Sequence, residues 1–203
     1  MDSKEFQADF ERCEQDAKAF AETYRGKLTD ILNATDASKG LFDALKAYEA
    51  IDDRLGRILS YAGLIYAGDT SDPTRAKFYG DTNDRATAIT TDLLFFQLEL
   101  NRIDDAVIDK AASTTPLNHY RPWLEDIRKD KPFQLEDKLE QVFHEKSVTG
   151  AGAWNRLFDE TMSDLRFTLD GEEMTIEPVL NRFQDTDPEM RRKASDALVA
   201  TFR

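Results

Sequence analysis

The sequence predicts a mainly all-α protein: a multi-helix array of long antiparallel helices with one small β-hairpin near residues 166–175. Three observations lead there. Only 9 Gly and 6 Pro are spread over 203 residues, so long stretches carry no chain breaker. Within those stretches apolar side chains recur three and four residues apart, which is the period of an α-helix. Asp170-Gly171 stands alone as a hairpin cue between two short runs, because a tight type I′ turn needs positive φ.

The first helix shows itself through Phe6, Phe10, Cys13, Ala17, Phe20 and Tyr24, which lie on one face; Gly26 is its stop. A second helix runs from about Gly40 to Ala67 on a stripe of Leu41, Leu45, Tyr48, Ile51, Leu55, Ile58, Ala62 and Ile65. Gly56 and Gly63 inside it cost helix propensity and allow a close neighbour. The loop 68–72 ends on Asp72, a good N-cap, and Pro73 suits the first helical position. The third helix spans about Pro73 to Arg102 and buries Phe78, Ile89, Leu93, Phe96 and Leu100. Its middle, 81–85, is polar, whereas Leu93-Leu94-Phe95-Phe96 is apolar on more than one side and calls for deep burial.

Shorter helices follow at 104–112, 117–128, 135–146 and 151–165. Tyr120, Leu124 and Ile127 share a face, as do Leu135, Leu139, Val142 and Phe143, and Trp154, Leu157, Phe158, Met162 and Leu165. Breaks at 130–132 and 149–150 carry Pro or Gly. An isolated hairpin is marginal, so the one at 166–175 must lean on helices. Thr175 is the expected N-cap of a short helix to about Phe183, and Asp187-Pro188 opens a last helix with Met190, Ala194, Ala197, Leu198 and Phe202. That helix stays apolar and periodic up to Arg203, as if cut mid-helix. The expected division is a long-helix subdomain, 1–112, and a part of shorter helices plus hairpin, 113–203.

Charge narrows the function. With 27 Lys+Arg against 40 Asp+Glu the net charge is −13. Nucleic-acid binding needs a basic surplus to neutralise phosphates, and a polybasic membrane anchor needs the same, so no nucleic acid and no membrane are expected as partners. No apolar stretch approaches the ~20 residues of a membrane span. No secretory signal opens the sequence, and the single Cys13 suits a reducing compartment, so a cytoplasmic location is expected. The sequon Asn33-Ala34-Thr35 is then read as chance.

Candidates for chemistry are few. His144-Glu145 begins like the zinc motif HExxH, but position 148 is Val148, so the second imidazole is missing from that helix face. His119 is the only other His. Neither has a nucleophile elbow beside it. The carboxylate pairs Asp52-Asp53, Asp104-Asp105 and Glu172-Glu173 point apart, and 68–72 is too short for a calcium loop. Cys13 reads as a small core residue, and the group Tyr61, Tyr66, Phe78 and Tyr79 as core packing. No catalytic and no metal residue is therefore assigned, and substrate-binding residues are left open.

The C-terminal third carries a resemblance. The run Lys131-Pro132-Phe133-Gln134-Leu135, continuing to Glu140, resembles a segment of the oligoendopeptidase F family of thimet-like zinc metallopeptidases. Thr149-Gly150-Ala151-Gly152-Ala153-Trp154, continuing to Glu160, is similar to another segment of it. So are Leu165-Arg166-Phe167 before the hairpin, Asp187 through Ala194, Tyr48-Glu49-Ala50 and Leu59-Ser60-Tyr61-Ala62. The resemblance implies the N-terminal, non-catalytic portion of a peptidase that hydrolyses internal bonds of short peptides. This portion would wall the substrate channel and restrict access. It implies zinc in the parent enzyme but none in this chain, because the family's HExxH and downstream Glu match no position here. The implied partners are the oligopeptide substrate and a C-terminal catalytic region. The other reading is a stand-alone acidic helical module that binds a protein partner.

Overall fold

A computed structural model of the chain describes residues 3–203. Helix α1, Lys4–Tyr24, starts where the Ser3 hydroxyl accepts from the Phe6 amide at 3.2 Å, and the chain leaves it through Gly26 at φ +75°. Its apolar face is the expected one, with Phe6, Phe10, Cys13, Ala17 and Phe20 buried. A short helix α2, Leu28–Asn33, was not legible in the periodicity, because six residues hold too few turns for a stripe to repeat; it buries Leu28 and Leu32. Helix α3, Ala37–Ala67, begins three residues before the expected start. Its stripe closes on Tyr66, which is buried, where Ile65 was expected and is only half-buried. Helix α4 spans Pro73–Arg102 as expected, and the Asp72 carboxylate accepts from the Thr74 amide at 2.7 Å and from the Arg75 amide.

Ring contacts give the directions of the three long helices. Phe6 meets Tyr61 at one end of α1 and Phe20 meets Tyr48 at the other, so α1 and α3 are antiparallel. Tyr66 stacks on Tyr79 and Tyr48 on Phe96, so α3 and α4 are antiparallel too. It follows that α1 and α4 run parallel, with Phe6 against Phe78 and Phe20 against Phe96. Their shared core includes Phe10, Cys13, Leu41, Phe96 and Leu100, all fully buried. The polar middle of α4 is accommodated locally. Thr82 is buried, and its hydroxyl donates to the Phe78 carbonyl at 2.7 Å.

Helix α5, Asp105–Ala112, is capped by Asp104, and Leu117 and Leu124 also reach this first core. The helix expected over 117–128 is split into a 3-10 turn, Leu117–Tyr120, and α6, Arg121–Ile127. Pro122 explains the break: it lacks an amide hydrogen and fits only the first turn of a helix. A second 3-10 segment, Arg128–Phe133, leads to α7, Asp137–Lys146, and α8, Ala151–Asp164.

The hairpin forms as the turn chemistry dictates. Strands β1, Phe167–Leu169, and β2, Glu172–Met174, pair antiparallel with Phe167 opposite Met174, and Asp170 and Gly171 take φ +51° and +86°. They lean on α9, Ile176–Asn181, and α10, Pro188–Thr201. This second core holds Phe167, Leu169, Val179, Ala194 and Ala197. Thr175 takes the N-cap position of α9 with extended backbone but without a side-chain cap bond, whereas Asp187 caps α10 by accepting from Glu189 at 2.9 Å. Helix α10 stops at Thr201, short of Arg203. No described helix is long and apolar enough to cross a membrane.

Candidate functional surface on helices α7 and α8

Helix α7 is fastened to α4 through its polar side chains. Arg102 pairs with Asp137, and His144 Nε2 lies 2.8 Å from Thr90 Oγ1; just before the helix, Gln134 Nε2 donates to the Leu98 carbonyl at 3.2 Å. Asp137 near the start of α7 meets Arg102 and His144 near its end meets Thr90, so α7 is antiparallel to α4. Helix α8 continues in the same direction. Thr70 Oγ1 donates to Ser163 Oγ at 2.9 Å, and Arg156 lies beside Gly80. The two helices thus lie end to end along α4, from its C-terminal to its N-terminal end.

The step between them explains two glycines of the Thr149-Gly150-Ala151-Gly152 motif. The Gly150 amide donates to the Lys146 carbonyl at 2.7 Å and the Gly152 amide to the Ser147 carbonyl at 2.8 Å. A Cβ at Gly150 would stand 2.9 Å from the Lys146 oxygen, and one at Gly152 would stand 3.1 Å from the Ser147 oxygen. A side chain at Gly150 forces this turn to shift, and one at Gly152 fits only if the Ser147 carbonyl gives by a few tenths of an ångström. At the step, α4 and α8 leave a groove of about 280 Å³, lined with Tyr79, Asn83, Thr87, Asn155, Arg156 and Asp159.

With its polar side turned inward, this part of the chain turns apolar side chains outward. Leu135, Leu139, Val142 and Phe143, and Trp154, Leu157 and Phe158, are all exposed; Trp154 is 71% exposed and Phe143 64%. The expectation that most aromatic residues sit in the core fails here. The stripes exist and are helical, but no element of the described chain faces them. A contiguous exposed apolar face of this kind marks an interaction surface in a folded protein.

The residues singled out for chemistry are scattered. Cys13 is fully buried between the long helices, and its burial pushes the thiol pKa up. His144 is held by Thr90 on α4, while His119 lies edge-on to Tyr120, 5.2 Å between ring centroids, and lines a cavity with Tyr48 and Trp123. Glu145 accepts from Gln141, and Val148 lines the groove. Asp53 pairs with Arg57, Asp104 caps α5, and Asp105 holds Arg128 and Lys131; Glu172 and Glu173 stand on β2. Tyr66 and Tyr79 stack at 5.0 Å with their planes 3° apart, and burial, helped by Asp159 and Glu160, pushes the Tyr66 phenol pKa up. Sequence reasoning did not single out Asn83, Thr87, Arg156 or Asp159. The groove joins residues far apart in the chain, and nothing local announces it.

One comparison with known proteins falls on this same surface, and two span nearly the whole chain. Residues 99–167, from the end of α4 through α7 and α8 to the first residue of β1, match the family model described as Oligopeptidase F. Over 215 aligned residues the chain is 26% identical to Oligopeptidase PepF of Bacillus subtilis (strain 168), covering 98% of this chain and 29% of that protein. Its fold matches the crystal structure of oligoendopeptidase-F from Enterococcus faecium with a TM-score of 0.76 and 17% identity, over 100% of this chain and 40% of that one. The chain therefore spans well under half the length of either relative. The chain is thus similar to oligopeptidase F proteins in sequence, most specifically over residues 99–167, and shares the fold of the corresponding part of the Enterococcus faecium structure.

Proposed function

We propose that these 203 residues are the non-catalytic N-terminal portion of a zinc metallo-oligoendopeptidase, forming a wall of the channel through which short peptides reach the catalytic region. The observation that carries this reading is the outward apolar face of α7 and α8, which falls inside the segment similar to Oligopeptidase F. A catalytic region packed on that face would bury it, and a peptide would pass between the two. A wall of linked helices admits an extended peptide and excludes a folded protein. The net charge of −13 favours approach of basic peptides over acidic ones.

The residues of this chain do not fit the zinc ion that the resemblance implies. Among the described residues no group of three His, Cys, Asp or Glu is placed to hold a metal. His144 is engaged by Thr90, and Val148 stands where a second imidazole would be needed. On this reading zinc, with the water activation it would supply, would be held by residues outside this chain. The second reading, an acidic module that clasps an amphipathic helix of a separate protein, draws on the same apolar face.

A paired assay separates the two. This chain and the longer chain that carries a catalytic region each receive zinc and a quenched fluorescent oligopeptide. Chelator-sensitive cleavage is expected from the longer chain alone. Chelator-sensitive cleavage by the 203 residues alone would overturn the reading. A second measurement puts Trp154→Ser and Phe158→Ser into the longer chain. Lowered thermal stability there, with none lost in the short chain, places the apolar face against the catalytic region. An unchanged longer chain would favour the separate-partner reading.

A further inference from the structure

A second cavity, of about 290 Å³, opens between α3 and the segment from Leu117 to α6, away from the α7–α8 surface. Its walls are aromatic: Tyr48 from α3, Tyr120 from the 3-10 turn and Trp123 from α6. The Tyr48 and Trp123 rings both line the opening and lie 6.4 Å apart, tilted by 47° rather than stacked face to face. Tyr48 is backed by Phe96, stacked at 5.0 Å, and Tyr120 by Phe42 at 5.8 Å. The walls are thus held by the core and do not need a ligand to form.

The mouth is acidic. Glu49 and Asp52 project from α3 beside the rings. Glu49 is partly engaged, accepting from the Tyr120 hydroxyl at 2.7 Å and from the Lys46 ammonium. Asp52 stands one helical turn beyond Tyr48 and has no hydrogen-bond or ion-pair partner among the described residues. With the Lys46 ammonium counted, Glu49 and Asp52 leave a net negative charge at the opening, where the His119 ring also forms part of the lining. Burial, reinforced by the Asp52 charge, pushes the Tyr48 phenol pKa up, so this wall stays a neutral aromatic ring at physiological pH.

Aromatic faces attract cations through the ring quadrupole, most strongly where water is excluded. A guanidinium is planar, weakly hydrated and always charged; it stacks on such faces while presenting a fork of donors to a carboxylate. An ammonium offers a point charge without the plane. We infer that the pocket between Tyr48, Tyr120 and Trp123 binds the guanidinium of an arginine side chain presented by a peptide, stacked on the rings and paired with Asp52. This site does not depend on the chain belonging to a peptidase, since binding is read without catalysis.

The sequence supplies a probe. Its two Trp are Trp123 and Trp154, and Trp154 is exposed on α8, so Trp154→Phe leaves Trp123 as the sole indole. In that background, N-acetyl-arginine amide, its uncharged citrulline counterpart and N-acetyl-lysine amide are titrated at constant ionic strength while Trp123 fluorescence is followed. The expected result is a saturable change with arginine in the millimolar range, weaker binding of lysine and none of citrulline. Asp52→Asn, at an exposed partnerless position that leaves folding intact by circular dichroism, weakens arginine binding by about tenfold, the value of one charge-assisted contact. No saturable response to arginine overturns the proposal, as does an equal response to citrulline, equal affinity for lysine, or arginine binding that Asp52→Asn leaves unchanged.

Discussion

Arg54 on α3 reaches Asp16 on α1, its Nη1 2.7 Å from the carboxylate, and together they form the polar edge beside the buried thiol of Cys13. The Arg54 side chain is mostly buried, so this bridge is more sheltered than the i,i+4 pairs along the helix surfaces. Cys13 is fully buried, and burial is the largest influence on its thiol, raising the pKa; Arg54 pulls the other way while Asp16 and Asp9 add to the rise.

Cys13 is therefore inert in the native chain. The nucleophile is the thiolate, and both access and ionisation are denied here. With a chromogenic aromatic disulfide at pH 8, the native protein should react at least about a hundredfold more slowly than the urea-unfolded protein, because reaction waits for opening of the core. Prompt stoichiometric labelling of the native chain would contradict this.

Phe96 and Trp154 test the division between covered and uncovered aromatic residues. Phe96 is fully buried among Phe20, Tyr48 and Phe95. Phe96→Ala should cost about 3–5 kcal/mol in urea unfolding, from lost transfer energy and the cavity left behind. Trp154→Ala, at an exposed position, should stay within about 0.5 kcal/mol in this chain.

Asp72 carries the start of the 30-residue α4. Its carboxylate satisfies the Thr74 amide at 2.7 Å and also accepts from Arg75. Asp72→Ala should cost about 1 kcal/mol. Asp72→Asn keeps an acceptor at the cap and should recover most of that loss in thermal unfolding.

Asp105 ties the segment after α6 back to the end of α4. Arg128 and Lys131 both reach its carboxylate, and Arg128 Nη2 also donates to the Ile103 carbonyl at 2.6 Å. Hydrogen bonds from Arg128 first, then from Lys131, hold its pKa below the ordinary carboxylate value of 3.8. A lowered folded pKa means that the contribution is present above 3.8 and fades as pH falls through the folded value. Thermal unfolding should thus show Asp105→Asn below the wild type at pH 7, with the gap closing as the pH drops below the carboxylate range. A gap that stays constant down to acid pH would mean that the ion pairs do not supply it.

Much of the fold was written locally. Asp72-Pro73 set the start of α4, Asp187-Pro188 that of α10, and Asp170-Gly171 the hairpin, because capping and turn geometry depend on a few adjacent residues. The stripes of α1, α3 and α4 announced most of the first core for a similar reason: side chains three and four apart must share a helix face. The same periodicity in 135–146 and 151–165 announced helices but not their surroundings. A stripe records that one face is apolar; whether another element covers it is decided by packing at long range. Only the tertiary structure turned Leu139, Phe143, Trp154 and Phe158 outward, seated His144 on Thr90 across 54 residues, and gathered Tyr48, Tyr120 and Trp123 around one opening. Those relationships join residues whose separation along the chain is far longer than any local signal, and they exist only once the helices have found their neighbours.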